Sequence, residues 1–309
     1  LRMLDELGLF SRFDALPHTR FEQAGFDLDG RRITVVDFRR LHQPHPYVAL
    51  VPQWDLLNLL AEAGREEPTF TLRMQTEVTG LLRDGDTITG VRFDGPDGPG
   101  ELRAELTVGC DGRTSIIRQA AGLVPREYPV PFDIGWFRLD RLTDAAFQLT
   151  PRLSRGLALI LIPREGYFQA GALLPKGGEQ AWQAQGLESF RAQVAELVPE
   201  ASTASLKSWD DVKVLDVRLN RLRRWHRPGL LCIGDAAHAM SPIGGVGINL
   251  AVADAVATAG LLAEPLRTHH VTDADLEAVQ RRRNLPAAVT QAVQRLAHRV
   301  VITRVLQGK

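Results

Sequence analysis

The sequence predicts an α/β fold with a second, mainly antiparallel β-sheet inserted into it. Three observations carry this. Residues 230–233 form a short, wholly apolar run of buried-strand type, followed by a glycine-rich loop and a long helical pattern. Residues 101–123 also read as a strand, a sharp turn at Asp111-Gly112 and a helix. Between these two α/β pieces, residues 126–224 are dense in strand-like segments joined by turns.

The elements follow in order. LRMLDELGLF reads as a short amphipathic helix, with Leu1, Leu4 and Leu7 at helical spacing and Gly8 near its end. FEQAGFDLDGRRITVVDFRRL reads as a hairpin turning at Asp29-Gly30. Pro44 and Pro46 break the chain, and VALVPQWDLLNLLAEAG is a strand entering a helix whose apolar side is Leu56, Leu57, Leu59 and Leu60. A β-rich stretch turns at Asp84-Gly85, and GPDGPG, residues 95–100, reads as a loop. In the inserted sheet, DIGWFRLDRL, GLALILIPREGYFQAGALLP and SLKSWDDVKVLDVRLNRL read as strands, interrupted by the helix SFRAQVAELVP. After residue 247 comes a long helix, and residues 273–306 are expected to be helical apart from Pro286.

At 309 residues the chain has room for about two domains. Lys plus Arg and Asp plus Glu number 37 each, so bulk charge drives binding neither to nucleic acid nor to an anionic membrane. No apolar run of membrane-spanning length and no leader-like segment is expected, and a cytoplasmic location is the expectation. Cys110 and Cys232 sit beside apolar residues and read as reduced, buried thiols. No metal site is expected. His269 and His270, near Asp273 and Asp275, fit a solvated loop, and Arg281-Arg282-Arg283 an exposed helix face.

Residues 230–255 concentrate the chemistry. Gly234-Asp235 sits where a buried strand ends, the position at which open α/β sheets bind ligands. A carboxylate there can accept hydrogen bonds from a sugar hydroxyl. Pro242 stiffens a loop containing Gly244, Gly245 and Gly247, which lets backbone approach a flat ligand closely. The helix that begins near Gly247 would aim its unpaired N–H groups and positive dipole end at that loop.

GDAAHAMSPIGGVGINLAVADA closely resembles the second flavin-binding motif of the class A flavoprotein monooxygenases, the family of para-hydroxybenzoate hydroxylase. Gly234, Asp235, Ala236, Ala237, His238, Pro242, Gly245, Gly247, Asn249 and Asp254 occupy its fixed positions. The resemblance implies that Asp235 holds the ribityl or pyrophosphate region of FAD. It implies too that the backbone from Gly245 through Ile248 to Asn249 lies along the isoalloxazine, with Pro242 near the side where oxygen reacts. VGCDGRTSIIRQAAG resembles the family's DG motif, matched by Asp111, Gly112, Ser115 and Arg118, an element that supports FAD and nicotinamide-cofactor binding. Gln53 resembles the residue that touches the FAD diphosphate. His238 is expected to pack and hydrogen-bond rather than act as a base.

The resemblance implies a FAD-binding, Rossmann-like domain of glutathione-reductase type, formed by residues 1–14, 45–125 and 226–309. A substrate-binding β-sheet domain follows from residues 15–44 and 126–225. Trp136, Phe168 and Trp209, with Phe137 and Tyr167, are candidates to line the substrate side, and strand alternation would turn about half of them elsewhere. The implied reaction uses NAD(P)H and O2 to hydroxylate an aromatic or other electron-rich small molecule through a flavin C4a-hydroperoxide. No catalytic side chain is assigned, and a homodimer stays open. One departure stands out: the family's opening GxGxxG turn is absent, so the chain as given is expected to lack the first βαβ unit. A same-fold flavin halogenase or reductase, or a truncated ligand-binding homologue without activity, are the alternatives.

Overall fold

The computed structural model describes residues 1–28, 31–142, 151–154 and 157–306. The expected turn at Asp29-Gly30 lies outside them, although the flanking strands Gln23–Leu28 and Arg31–Asp37 pair antiparallel. The chain forms two compact units. One comprises Leu1–Leu72, Phe132–Asp216 and Thr303–Lys309; the other comprises Arg73–Pro131 and Val217–Ile302. Residues 1–14 and 45–72 thus group with the inserted sheet and not with residues 73–125. The contacts explain why. Leu59 of the helix Gln53–Arg65 is buried with Leu4 and Phe13, and Val48–Leu50 pairs with Thr19–Phe21. Thr19 Oγ1 in turn donates to the carbonyl of Pro163 in the sheet at 3.4 Å. Leu57 falls off the expected apolar side and is exposed, because only Leu56, Leu59 and Leu60 share the inward stripe.

In the first unit the sheet runs Pro151–Ser154, Leu157–Pro163, Tyr167–Pro175, Phe132–Arg141 and Ala201–Ser202, with Lys213–Leu215 also paired to Phe132–Arg141. Every pairing is antiparallel. Side chains alternate, so the register assigns them to faces. Leu139 lies opposite Phe168 and Leu159 opposite Ala172. These share a face with Phe137 and Leu161, and the helices Glu179–Gln183 and Leu187–Leu197 bury it through Trp182, Phe190 and Val194. Trp136 lies opposite Gly171 on the other face. The stretch expected as strands from residue 205 is mostly not strand. Ser208 and Asp211 form a reciprocal capping box that winds Trp209–Asp211 into a single tight turn.

The second unit holds a meander, Glu77–Asp84, Thr87–Gly95 and Gly98–Arg103. Gly85, at φ +56°, supplies its first turn. Residues 95–100 are not a loop: Gly95 pairs with Gly98, leaving a two-residue turn. The strand Leu230–Cys232 pairs in parallel with Thr107–Gly109 and antiparallel with His226–Arg227. All three of its residues are wholly buried, in a core shared with Ile88, Ile117, Trp225 and Val279. Cys232 is buried as expected, but Cys110 is exposed, because the strand ends at Gly109 and Cys110 already belongs to the turn.

Two long helices complete the unit, Gly247–Arg267 and Asp273–Ala297. The second continues through Pro286, contrary to expectation. The missing N–H costs about 3 kcal/mol in an isolated helix. Here the helix is tied on both sides of it, by Arg283 to Asp254 and by Gln291 to Asn220 and Ala239. Among the described residues, Gly247–Arg267 alone has the length and mean hydropathy of a membrane span, which corrects the expectation of none. One such helix is weak evidence, and this one directs Asp254, Ala257, Thr258 and Leu262 inward.

Candidate functional site

Two polar turns end neighbouring parallel strands, for Cys232 pairs with Gly109 and each turn begins two residues later. The first is Asp111-Gly112, with Gly112 at φ +84°. Asp111 accepts the Ser115 hydroxyl at 2.5 Å and the Ile117 N–H at 3.0 Å. Ser115 accepts the Arg118 N–H at 2.9 Å and caps the helix Ile116–Ala120. Both oxygens of Asp111 are therefore engaged in starting that helix. Arg118 is buried, not a surface helix residue. It donates to the carbonyls of Arg113 at 2.8 Å and Ala236 at 3.0 Å, tying the first turn to the second.

The second turn is Gly234-Asp235. Gly234 has φ +58°, and a side chain there would meet Ala251 Cβ at 3.1 Å, so the turn lies against the long helix. Its N–H donates to Asp254 at 3.0 Å. Asp254 is wholly buried; it also accepts from His238 Nε2 at 2.6 Å and from Arg283 Nε at 2.7 Å. Burial pushes the Asp254 carboxyl upward, but His238, Arg283 and the Gly234 N–H together hold it below its ordinary value. His238 is thus a structural hydrogen-bonding residue. Arg283 is not on an exposed face: its side chain is mostly buried against Asp254, unlike its exposed neighbours Arg281 and Arg282.

Asp235 contrasts with Asp254. Among the described residues its side chain makes one long contact, 3.5 Å to Arg113, and it keeps some exposure. Burial raises its carboxyl above the ordinary value, opposed by the nearby Arg113 and His238. Past it, the Gly245 N–H closes a turn on the Pro242 carbonyl at 3.0 Å. Gly244 and Gly245 stand consecutively at φ +82° and +61°, a conformation L side chains adopt only with strain. Beyond a Cβ placed on Gly245 there is nothing within 4 Å. Gly247 then opens a 21-residue helix with no side-chain cap and no acidic residue in its first turn. Its first N–H groups lack intrahelical acceptors. Ile248 and Asn249 are exposed there.

The loop is held from behind by residues that sequence reading missed. Gln294 accepts the Ser241 N–H at 3.2 Å and donates to the carbonyls of Ser241 and Ile243 at 2.8 and 2.9 Å. Gln291 donates to the carbonyls of Asn220 and Ala239, and His298 Nε2 meets Ser241 Oγ at 2.9 Å. Burial holds the His298 imidazole below its ordinary value, which disfavours its charged form. The signal was present: positions 283, 291, 294 and 298 fall on one side of a helix.

The remaining candidates lie in the first unit. Gln53 is exposed and begins the helix Gln53–Arg65. Phe168 is fully buried beneath the covering helices, and Trp209 stacks on Phe190 at 5.7 Å. The register turns Phe168 to the helix-covered face, and Trp209, in the turn that follows Ser208, packs partly buried against the same cluster. Trp136, partly exposed, is on the opposite face. His269, expected to be solvated, is exposed and pairs with Glu105 at 3.0 Å.

A loop that admits close backbone approach, an uncapped helix start and one underused carboxylate can hold a flat ligand with an electron-rich edge and hydroxyl groups. The residues present therefore fit FAD. Comparison with known proteins agrees. Residues 1–293 match the FAD binding domain family. The chain is 36% identical to the 6-methylpretetramide 4-monooxygenase of Streptomyces rimosus, over 97% of this chain and 73% of that protein. It is 31% identical to a 12-dehydrotetracycline 5-monooxygenase/anhydrotetracycline 6-monooxygenase of the same species, over 72% of this chain and 45% of that protein. The fold matches that of Pseudomonas aeruginosa PqsL in complex with 2-aminobenzoylacetate, with a TM-score of 0.79 and 22% identity, over 99% of this chain and 84% of that one. A glycine-rich loop leading into an uncapped helix and a family match across nearly the whole chain lead to one conclusion: the chain belongs to the FAD-binding-domain family of class A flavin monooxygenases.

Proposed function

We propose that the protein is a FAD-dependent monooxygenase that uses NAD(P)H and O2 to hydroxylate an aromatic or other electron-rich small molecule. The observation that carries the reading is the loop at residues 242–247, where two left-handed glycines precede an uncapped, 21-residue helix. The names of the relatives support it, since both specify monooxygenases. The chemistry supplied by bound FAD is two-electron reduction by NAD(P)H followed by transfer of one oxygen atom of O2.

The chain's own residues bind and orient. The N–H groups at Gly247, Ile248 and Asn249 face negative charge with the helix dipole behind them, a stabilisation of about 0.3–1 kcal/mol, rising to about 2 kcal/mol when partly buried. Asp235 accepts hydrogen bonds from cofactor hydroxyls, and Asp254 with Arg283 fixes the turn that presents it. Asp111 and Arg118 hold the adjoining turn in register with Ala236. In the first unit, Gln53 offers an exposed amide at a helix start, suited to a phosphate oxygen. The indole of Trp136 suits an aromatic ligand.

Two measurements on the protein expressed from its complete reading frame test the reading. It should purify with flavin absorbance, and with NAD(P)H and ¹⁸O2 it should place one labelled oxygen in an aromatic product. A protein that holds no flavin at saturating FAD would end the proposal.

A further inference from the structure

Three arginines of the second unit converge on one tyrosine, and none of the motifs above uses them. The strands Pro125–Glu127 and Asn220–Leu222 pair antiparallel, and their register sets Arg126 directly opposite Arg221. Like charges directly opposite on one face of a sheet repel. Tyr128 follows two residues after Arg126, and its N–H continues the pairing by donating to the Leu219 carbonyl at 2.8 Å, which keeps it on the same face. The Arg126 guanidinium carbon lies 5.3 Å from the centre of the Tyr128 ring. That of Arg295, from the last turn of the helix Asp273–Ala297, lies 4.7 Å from it. Arg221 Nη2 donates to the Tyr128 hydroxyl at 3.5 Å.

No acid balances these charges. Among the described residues none of the three arginines forms an ion pair. Glu127, the neighbouring carboxylate, alternates to the other face of its strand and accepts from the buried Asn220 at 2.9 Å. The helix that carries Arg295 has no acidic residue after Glu277. A cation is favoured at a helix C-terminus, and a guanidinium gains by lying over an aromatic ring, which together account for Arg295. Neither effect explains why Arg126 and Arg221 face each other. Arg221 Nη1 is shut from solvent without a hydrogen-bond partner, so its charge is fixed in place and is not itself offered to a ligand. Arg126 is exposed, and Tyr128 and Arg295 are half-buried, which leaves two guanidiniums and a phenol within reach of a small ligand.

We infer that this cluster binds a phosphate dianion, with Arg126 and Arg295 donating to its oxygens. The Tyr128 hydroxyl, which accepts from Arg221, keeps its own proton to donate to the same group. A carboxylate offers one charge and two oxygens. Three guanidiniums without an internal counter-ion are better matched by two charges on three free oxygens, which planar guanidiniums take in pairs. A phosphate monoester on a nucleotide and free inorganic phosphate share this chemistry. That such a nucleotide is the nicotinamide cofactor rests on the monooxygenase reading; the binding site itself does not.

The test is calorimetric titration, at fixed ionic strength, of the protein held in saturating FAD. Three probes are used: 2′-AMP, inorganic phosphate and the uncharged adenosine. 2′-AMP should bind about tenfold or more tighter than adenosine. Inorganic phosphate that matches 2′-AMP assigns the site to the free ion, and phosphate that binds more weakly assigns it to a nucleotide. Arg126→Gln and Arg295→Gln should each weaken 2′-AMP about tenfold and leave adenosine within about twofold. Arg126→Lys, which keeps the charge, should retain more of the affinity than Arg126→Gln. Equal binding of 2′-AMP and adenosine, or 2′-AMP binding unchanged in both glutamine variants, overturns the inference. Flavin content measured on the same samples separates the two proposals: 2′-AMP preference in a protein that takes up no FAD defeats only the monooxygenase reading. Normal FAD uptake without that preference defeats only this one.

Discussion

The turns at Asp111 and Asp235 end adjacent parallel strands, and in sequence each is a carboxylate beside a glycine. They do different work. Asp111 spends both oxygens on Ser115 and Ile117, inside its own turn. Asp235 begins only the four-residue helix Asp235–His238 and makes no comparable bonds. Beneath it, the task of holding the backbone has passed to a third carboxylate, Asp254, twenty residues after Gly234 and wholly buried. A carboxylate at a strand end is therefore available to a ligand only when another group supports the turn. In the second turn that group is Asp254; in the first, Asp111 itself shares the holding with Arg118.

Variants can break or sharpen this contrast. The largest effect is expected from Asp254→Asn, which leaves Arg283 and His238 buried without their anion and should cost about 3–5 kcal/mol in urea denaturation. The folded carboxyl lies below its ordinary value of 3.8, so its stabilisation is complete above that value and is lost as pH falls through the folded one. The gap between parent and variant should accordingly be flat near neutrality and close below about pH 4. A gap that persists unchanged into strong acid would mean that the support is not ionic.

Asp235→Ala comes next. FAD affinity should fall about tenfold to a hundredfold, as for lost hydrogen bonds to a charged group, while unfolding free energy stays within about 0.5 kcal/mol of the parent. The smallest effect belongs to Asp111→Ala, with the opposite pattern. Losing a helix-starting acceptor should cost about 0.5–2 kcal/mol of stability and change FAD affinity by no more than about threefold. If the two variants shift affinity and stability in the same proportion, the two turns are equivalent after all.

Much of this was legible in the letters. Glycine at positive φ, a strand read from four consecutive apolar residues and a helix read from its period are local properties, and residues 230–255 carry all three. Other features were not legible. Arg283 looks like one member of a basic run until the helix is rotated onto Asp254. Phe168 and Trp136 look equally fit to meet a ligand until the register sends them to opposite faces.

By itself, then, the sequence determined the glycine loop at residues 242–247, because backbone freedom at Gly244 and Gly245 and the helix that follows depend on nothing far away. Only the tertiary structure decided which charges are buried with partners and which remain to bind something. Whether a carboxylate is satisfied depends on groups from distant segments, as Arg283 and His238 are for Asp254.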